Sequence, residues 1–157
     1  MVLNLFSKPS CITKLAANTE ISVRNSLETV LKLKSLSEMI NELDGMSDKM
    51  CLVSDSSECV RRLHPEVKWR RAADYSFQTI NSLMNEFNSD RNLASKFCSL
   101  ARDGNDCQDS ESKIVIEAFK KDFELYDRMN DAEISKINKL KEAIEVASNE
   151  FERASSL

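Results

Sequence analysis

Glycine and proline are scarce: the chain holds two of each in 157 residues, where average usage would give about 11 and 8. With so few breakers there is little material for the tight turns that hairpins need. Aromatic residues make up only 6% of the chain, which argues against a rich β core. Histidine is scarcer still, since His64 is the only one. No two histidines can therefore share a metal, and any Cys–His or Ser–His pair rests on one candidate. Gly45 and Gly104 stand alone, so there is no glycine-rich loop to cradle phosphate. No apolar run approaches the roughly 18 residues of a membrane span. Neither sign of charge dominates: 26 acids face 22 bases, for a net charge of −4. The basic face that nucleic acid requires is missing, and no nucleic-acid partner is expected.

Five cysteines, at positions 11, 51, 59, 98 and 107, are an odd number with no Cys-x-x-Cys among them. They read as reduced, mostly buried thiols of an intracellular protein. Residues 1–24 carry Lys8, Lys14 and Arg24 against Glu20, too few arginines for a transit peptide.

Hydrophobic spacing supplies the fold. Ile12, Leu15, Ala16, Val23, Leu27, Val30 and Leu31 recur mostly at three- and four-residue steps, as one helix face does. Ser35 and Glu38 have capping-box spacing. A second set runs Leu36, Met39, Ile40, Leu43, Met46, Met50, Val53, Val60 and Leu63, and keeps its phase across Gly45, so one long or bent helix is expected. His64-Pro65 ends it, and a third helix is expected from about Pro65 to Asn88 with Trp69, Ala73, Phe77, Ile80, Met84 and Phe87 on one face. Asn88-Ser89-Asp90 is a turn or cap, and a shorter helix then carries Leu93, Phe97, Leu100 and Ala101. Residues 1–10 read as an irregular lead-in and 102–110 as the main loop. A fifth helix presents Ile114, Val115, Ala118, Phe119 and Phe123 and ends around Tyr126–Met129. Asn130 and Glu133 form another capping-box pair, and the last helix presents Ile134, Ile137, Leu140, Ile144, Ala147, Phe151 and Ala154. The expectation is a single all-α domain over 1–157, five to six antiparallel helices with short turns, bundle-like.

Candidates for chemistry are few. His64 before a proline suits a helix end or an interface better than a thiol-protease pair. Arg61, Arg62, Lys68, Arg70 and Arg71 surround Trp69, but Glu58, Glu66 and Asp74 offset most of that charge. The acid pairs Asp55/Glu58 and Glu145/Glu152 read as solvated helix faces. The terminal helix could serve a coiled-coil partner, although packing on the domain's own helices is the simpler expectation.

Asp44, Ser47, Asp48, Cys51, Val53 and Asp55 form Asp-x-x-Ser-Asp-x-x-Cys-x-Val-x-Asp, followed by Arg61-Arg62-Leu63-His64-Pro65. Leu5-Phe6-Ser7-Lys8-Pro9 precedes it, and Phe87-Asn88-Ser89-Asp90 and Asp122-Phe123-Glu124 follow. This succession resembles the N-terminal region of the mitochondrial intermediate peptidase branch of the thimet oligopeptidase family of zinc metalloendopeptidases. The resemblance implies a helical region forming one wall of a deep channel, in enzymes that trim short N-terminal peptides from imported precursors in the mitochondrial matrix. It also implies zinc in the complete enzyme, held by a His-Glu-x-x-His helix that a chain with one histidine cannot supply. The expected site residues in this chain are therefore none: no catalytic, cofactor-binding or metal-binding residue carries over. The chain departs from the family pattern where a Gly-Phe is expected near residues 15–20 and where Ala94 stands in place of a tyrosine. The expected partner is a missing catalytic half or another protein, with peptide substrate only in the complete enzyme. The alternative is a stand-alone helical binding or structural module, which could be a subunit of a mitochondrial assembly. An apolar face left uncovered would favour the first.

Overall fold

The computed structural model describes residues 7–103 and 110–155, which form six helices and no strand. They are α1 (Pro9–Val30), α2 (Leu36–Leu63), α3 (Val67–Phe87), α4 (Arg91–Asp103), α5 (Ser110–Arg128) and α6 (Asp131–Ser155). The result is the all-α bundle expected from the spacing. Residues 104–109, the centre of the expected loop, lie outside the described residues, as do Leu5 and Phe6.

Local chemistry sets the helix ends. Pro9 occupies the first turn of α1, where its missing N–H costs nothing. The Glu38 N–H donates to Ser35 Oγ at 3.3 Å to cap α2. Asp90 caps α4 by accepting the Leu93 N–H at 2.9 Å. At α6 both halves of the capping box close: Asn130 N–H donates to Glu133 Oε2 at 2.9 Å, and Glu133 N–H to Asn130 Oδ1 at 3.0 Å.

α1, α2 and α3 pack against one another along most of their length. On α2 the buried residues are Leu36, Met39, Leu43, Met46, Met50, Val53, Ser57 and Val60, a strict alternation of three- and four-residue steps. That is the seam of a coiled coil. α1 answers with Ile12, Ala16, Thr19, Val23 and Val30, and α3 with Ala73, Ser76, Ile80, Leu83 and Phe87. Gly45 lies within α2 without breaking it, as the preserved phase requires.

Three details differ from the sequence expectation. α3 begins at Val67 and not at Pro65, because His64 and Glu66 are both extended and the chain uses residues 64–66 to turn. The buried face of α3 runs through Ser76 and Leu83, one position before Phe77 and Met84, which sit half-buried at its edge. Leu63 is 69% exposed, since it falls one residue short of the next seam step.

α4 pairs with α5 and also meets α2. Phe97 is fully buried, with Phe119 and Phe123 at ring-centroid distances of 5.8 and 5.0 Å. Ile116, Phe119 and Phe123 form the inner side of α5, whereas Ile114 and Ala118 are exposed. The side chains of Val115 and Tyr126 lie outside the described residues.

The apolar interior is not continuous. Ile12, Val60, Ala73 and Trp69 form a small cluster at one end of the bundle, apart from the main core. Ser57 and Ser76, both fully buried, sit on the α2 and α3 seams between the two clusters. Ser76 Oγ donates to the Ala72 carbonyl at 2.9 Å, while Ser57 Oγ has no partner among the described residues.

Candidate functional site

His64 ends α2, with its N–H donating to the Val60 carbonyl. Its ring stacks on Trp69 with centroids 4.7 Å apart and planes 20° apart. Nδ1 accepts the Glu66 N–H at 3.2 Å. Arg70 Nη1 donates to the carbonyls of His64 and Pro65 at 2.9 and 2.8 Å. A ring held this way shapes the α2–α3 elbow, in keeping with the helix-end reading.

The basic residues around it are largely paired. Arg61 bridges Glu58 at 2.7 Å and Asp74 at 3.7 Å, and its guanidinium lies 4.8 Å from the Phe77 ring centroid. Arg62 also pairs with Glu58, and Lys68 pairs with Glu66 at 2.8 Å. Burial pushes the Glu58 carboxyl up, but hydrogen bonds from Arg62 and Arg61 outweigh it and hold the group below its ordinary value. The Lys68 hydrogen bond likewise lowers Glu66. At the opposite side of α3, Arg24 makes a forked contact with Glu86 at 2.7 and 2.8 Å and also holds Glu20. That fork lowers the Glu86 carboxyl and raises Arg24.

The α2 signature splits by burial. Val53 enters the core, while Asp44, Ser47, Asp48, Cys51 and Asp55 are exposed on the outer side of the helix. Their steps of three and four residues keep them on one face. Cys11, Cys51, Cys59 and Cys98 are free thiols, and only Cys98 is buried, so the expectation of mostly buried thiols fails for three of these four. Ile12, Met50 and Val60 take the buried positions next to Cys11, Cys51 and Cys59. A hydrogen bond with the Ser7 hydroxyl lowers the Cys11 thiol. Cys107 and the side chains of Glu145 and Glu152 lie outside the described residues.

Zinc does not fit these residues. Among the described residues no three of His, Cys, Asp and Glu gather into a set that could hold a metal ion. His64 is committed to the elbow through Glu66 and Trp69. No helix of the described residues is long and apolar enough to cross a membrane.

Large apolar side chains more than half exposed occur on α1 to α3 (Ile21, Leu52, Leu63, Val67 and Tyr75) as well as on α5 and α6. Ile114, Leu125, Leu140, Ile144, Val146 and Phe151 are all more than half exposed. The simpler expectation, that α6 packs its apolar face on the domain's own helices, holds in part: α6 meets α3 and Ile134 and Ile137 are half-buried, while Leu140, Ile144, Ala147, Phe151 and Ala154 are largely exposed. A cleft of about 560 Å³ runs between α2, α3 and α6, with Asn81, Asn85 and Asn88 along its α3 wall. Sequence reasoning passes over these asparagines. Their spacing of four and three residues on one helix is the available signal.

Curated proteins similar to this chain are mitochondrial intermediate peptidases. That of Mycosarcoma maydis is 31% identical over 98 residues, covering 61% of this chain and 11% of the peptidase. Mitochondrial intermediate peptidase 1 of Cryptococcus neoformans var. neoformans serotype D is 33% identical over 92 residues, 57% of this chain and 12% of that protein. The Scheffersomyces stipitis peptidase is 34% identical over 87 residues, 54% of this chain and 11% of that protein. No family model matches the chain, and no solved structure does. The chain thus spans only about a ninth of the length of these relatives, and what it resembles is the N-terminal region of mitochondrial intermediate peptidase.

Proposed function

We propose that this chain is the non-catalytic N-terminal helical part, as a fragment or truncated copy, of a zinc metalloendopeptidase resembling mitochondrial intermediate peptidase. The observation that carries the reading is similarity over 87 to 98 residues, a stretch that is 11% of the length of the peptidases it matches. Zinc, the activated water and the peptide substrate belong to the remainder of such an enzyme, and no residue of this chain takes part in catalysis. The site of action is the mitochondrial matrix, and the reaction of the complete enzyme is removal of N-terminal peptides from imported precursors. The single domain of 1–157 acts as a scaffold.

The exposed apolar row of α6, Leu140, Ile144 and Phe151, supports this assignment, because such a row suits a surface that a further part of the protein covers. The outward row of Asp44, Asp48, Cys51 and Asp55 supports it too, since these members of the motif, unlike the buried Val53, are not used here for internal packing. The test is the size of the native polypeptide, probed in extracts with an antibody against residues 110–157. A band several times larger than 17.8 kDa is the expected result. A single band near 17.8 kDa would instead mean a stand-alone binding module.

A further inference from the structure

The outer face of α6 is charged differently at its two ends. Ile137, Leu140, Ile144, Ala147, Phe151 and Ala154 step along it by three and four, and all but the half-buried Ile137 are exposed. Lys136, Ala143 and Glu150 run along one flank of that row, one residue before each of Ile137, Ile144 and Phe151, and they too are exposed. Neither Lys136 nor Glu150 forms an ion pair with another of the described residues. On the other flank, Ile134 and Lys141 are half-buried, and Lys141 Nζ donates to Ser89 Oγ at 3.3 Å. One flank is therefore taken by the chain itself, and the open one is basic at its start and acidic at its end.

These charges restrict what can lie on the face. A row stepping by three and four is the seam of a two-helix coiled coil, and the charges flanking such a seam select partner and orientation. A second α6 laid parallel would set Lys136 against Lys136 and Glu150 against Glu150. Laid antiparallel, with Leu140 opposite Ile144 and Ile137 opposite Ala147 of the second copy, it brings Lys136 opposite Glu150. Two-fold symmetry makes that contact twice, and antiparallel helices also oppose their dipoles. Ala143 and Ala147 fall near the crossing, where small side chains let helix axes approach closely. The face is thus complementary to itself in one direction only.

We propose that the outer face of α6 pairs with the same face of a second copy of this chain, as an antiparallel two-helix contact held by Leu140 and Ile144 and oriented by Lys136 and Glu150. A single helix pair with alanine in its seam falls at the lower end of interface sizes, about 1,200 Å² or less, where association is weak and reversible. A dissociation constant of about 10–100 μM is expected, so the chain is a monomer at the low micromolar concentrations of a melt. The inference goes beyond the peptidase reading and needs nothing from it. A further part of a longer protein that covers α6 competes with the second copy for the same row.

Sedimentation equilibrium of the full chain tests this, in reducing buffer so that no disulfide contributes. Over about 5–500 μM the mass should rise from 17.8 kDa toward twice that value. Leu140→Asp combined with Ile144→Asp should hold the chain monomeric throughout. Lys136→Glu should weaken pairing about tenfold, because like charges then face each other at both contacts. Adding Glu150→Lys to it should restore the parent affinity to within about threefold. All four positions are exposed, and thermal melts at low concentration establish that the variants fold. A chain that stays monomeric to about 500 μM, a dimer indifferent to the aspartates, or a charge swap that fails to restore pairing would each overturn the proposal.

Discussion

α2 and α6 are the two longest helices, with 28 and 25 residues, and both carry an apolar row stepping by three and four. α2 buries its row from Leu36 to Val60 between α1 and α3. α6 carries Ile137, Leu140, Ile144, Ala147, Phe151 and Ala154 in the same rhythm, yet Leu140, Ile144 and Phe151 are 55%, 68% and 73% exposed. The pattern guarantees one sticky face and does not name what covers it. In α2 the cover lies in this chain. For α6 the described residues supply only part of it, and that difference separates the buried row from the exposed one.

The sharpest way to break the contrast is to cut the same kind of side chain from each row. Met46, 1% exposed on α2, should cost about 2–5 kcal/mol when replaced by alanine. Ile144→Ala on α6 removes a side chain already in water and should stay within about 0.5 kcal/mol. Urea unfolding of the two variants, compared at equal slope, measures both. Comparable losses would mean that α6 is covered in solution and that the two rows are equivalent after all.

Smaller effects test the weak points of the buried row itself. Ser57 occupies a seam position with a hydroxyl that has no partner among the described residues, so Ser57→Ala should raise stability by about 1 kcal/mol. Nothing lies within 4 Å of where a Cβ on Gly45 would stand. Gly45→Ala should therefore also stabilise α2, by about 0.5–1 kcal/mol. Thermal melts decide both, and a loss at Ser57 would mean that the hydroxyl is hydrogen-bonded.

Much of the buried half is legible in the amino-acid sequence alone. The α2 seam, the Ser35 cap, the Asn130/Glu133 capping box and the helix break at His64-Pro65 follow from local spacing and backbone chemistry. The fate of α6 is not legible there, since burial depends on distant elements that a single helix's periodicity does not encode. Phe77 departs from expectation for a similar reason: the α3 face is set by the two helices it meets, and Ser76, small enough for close approach, takes the inward position. The cleft is invisible to local spacing because its walls come from residues 58–62, 77–88 and 141–148, and only the fold brings them together. The lack of a His-Glu-x-x-His helix among these residues, by contrast, needs nothing but a count of histidines.

The smallest expected effect concerns the charges that tie α1 to α3. Arg24 lowers the Glu86 carboxyl, so the ion pair stabilises the fold above the carboxylate's unfolded pKa of about 4.3. That contribution is complete near neutral pH and is lost as pH falls through the still lower folded value. Both partners are largely exposed, so solvent screening limits the pair to a few tenths of a kcal/mol, at most about 1. Glu86→Gln should produce a loss of that size at pH 7, and the gap from the parent should close below about pH 4. Melts across that range provide the measurement. A gap that persists in acid would assign the effect to packing of the Glu86 stem and not to its charge.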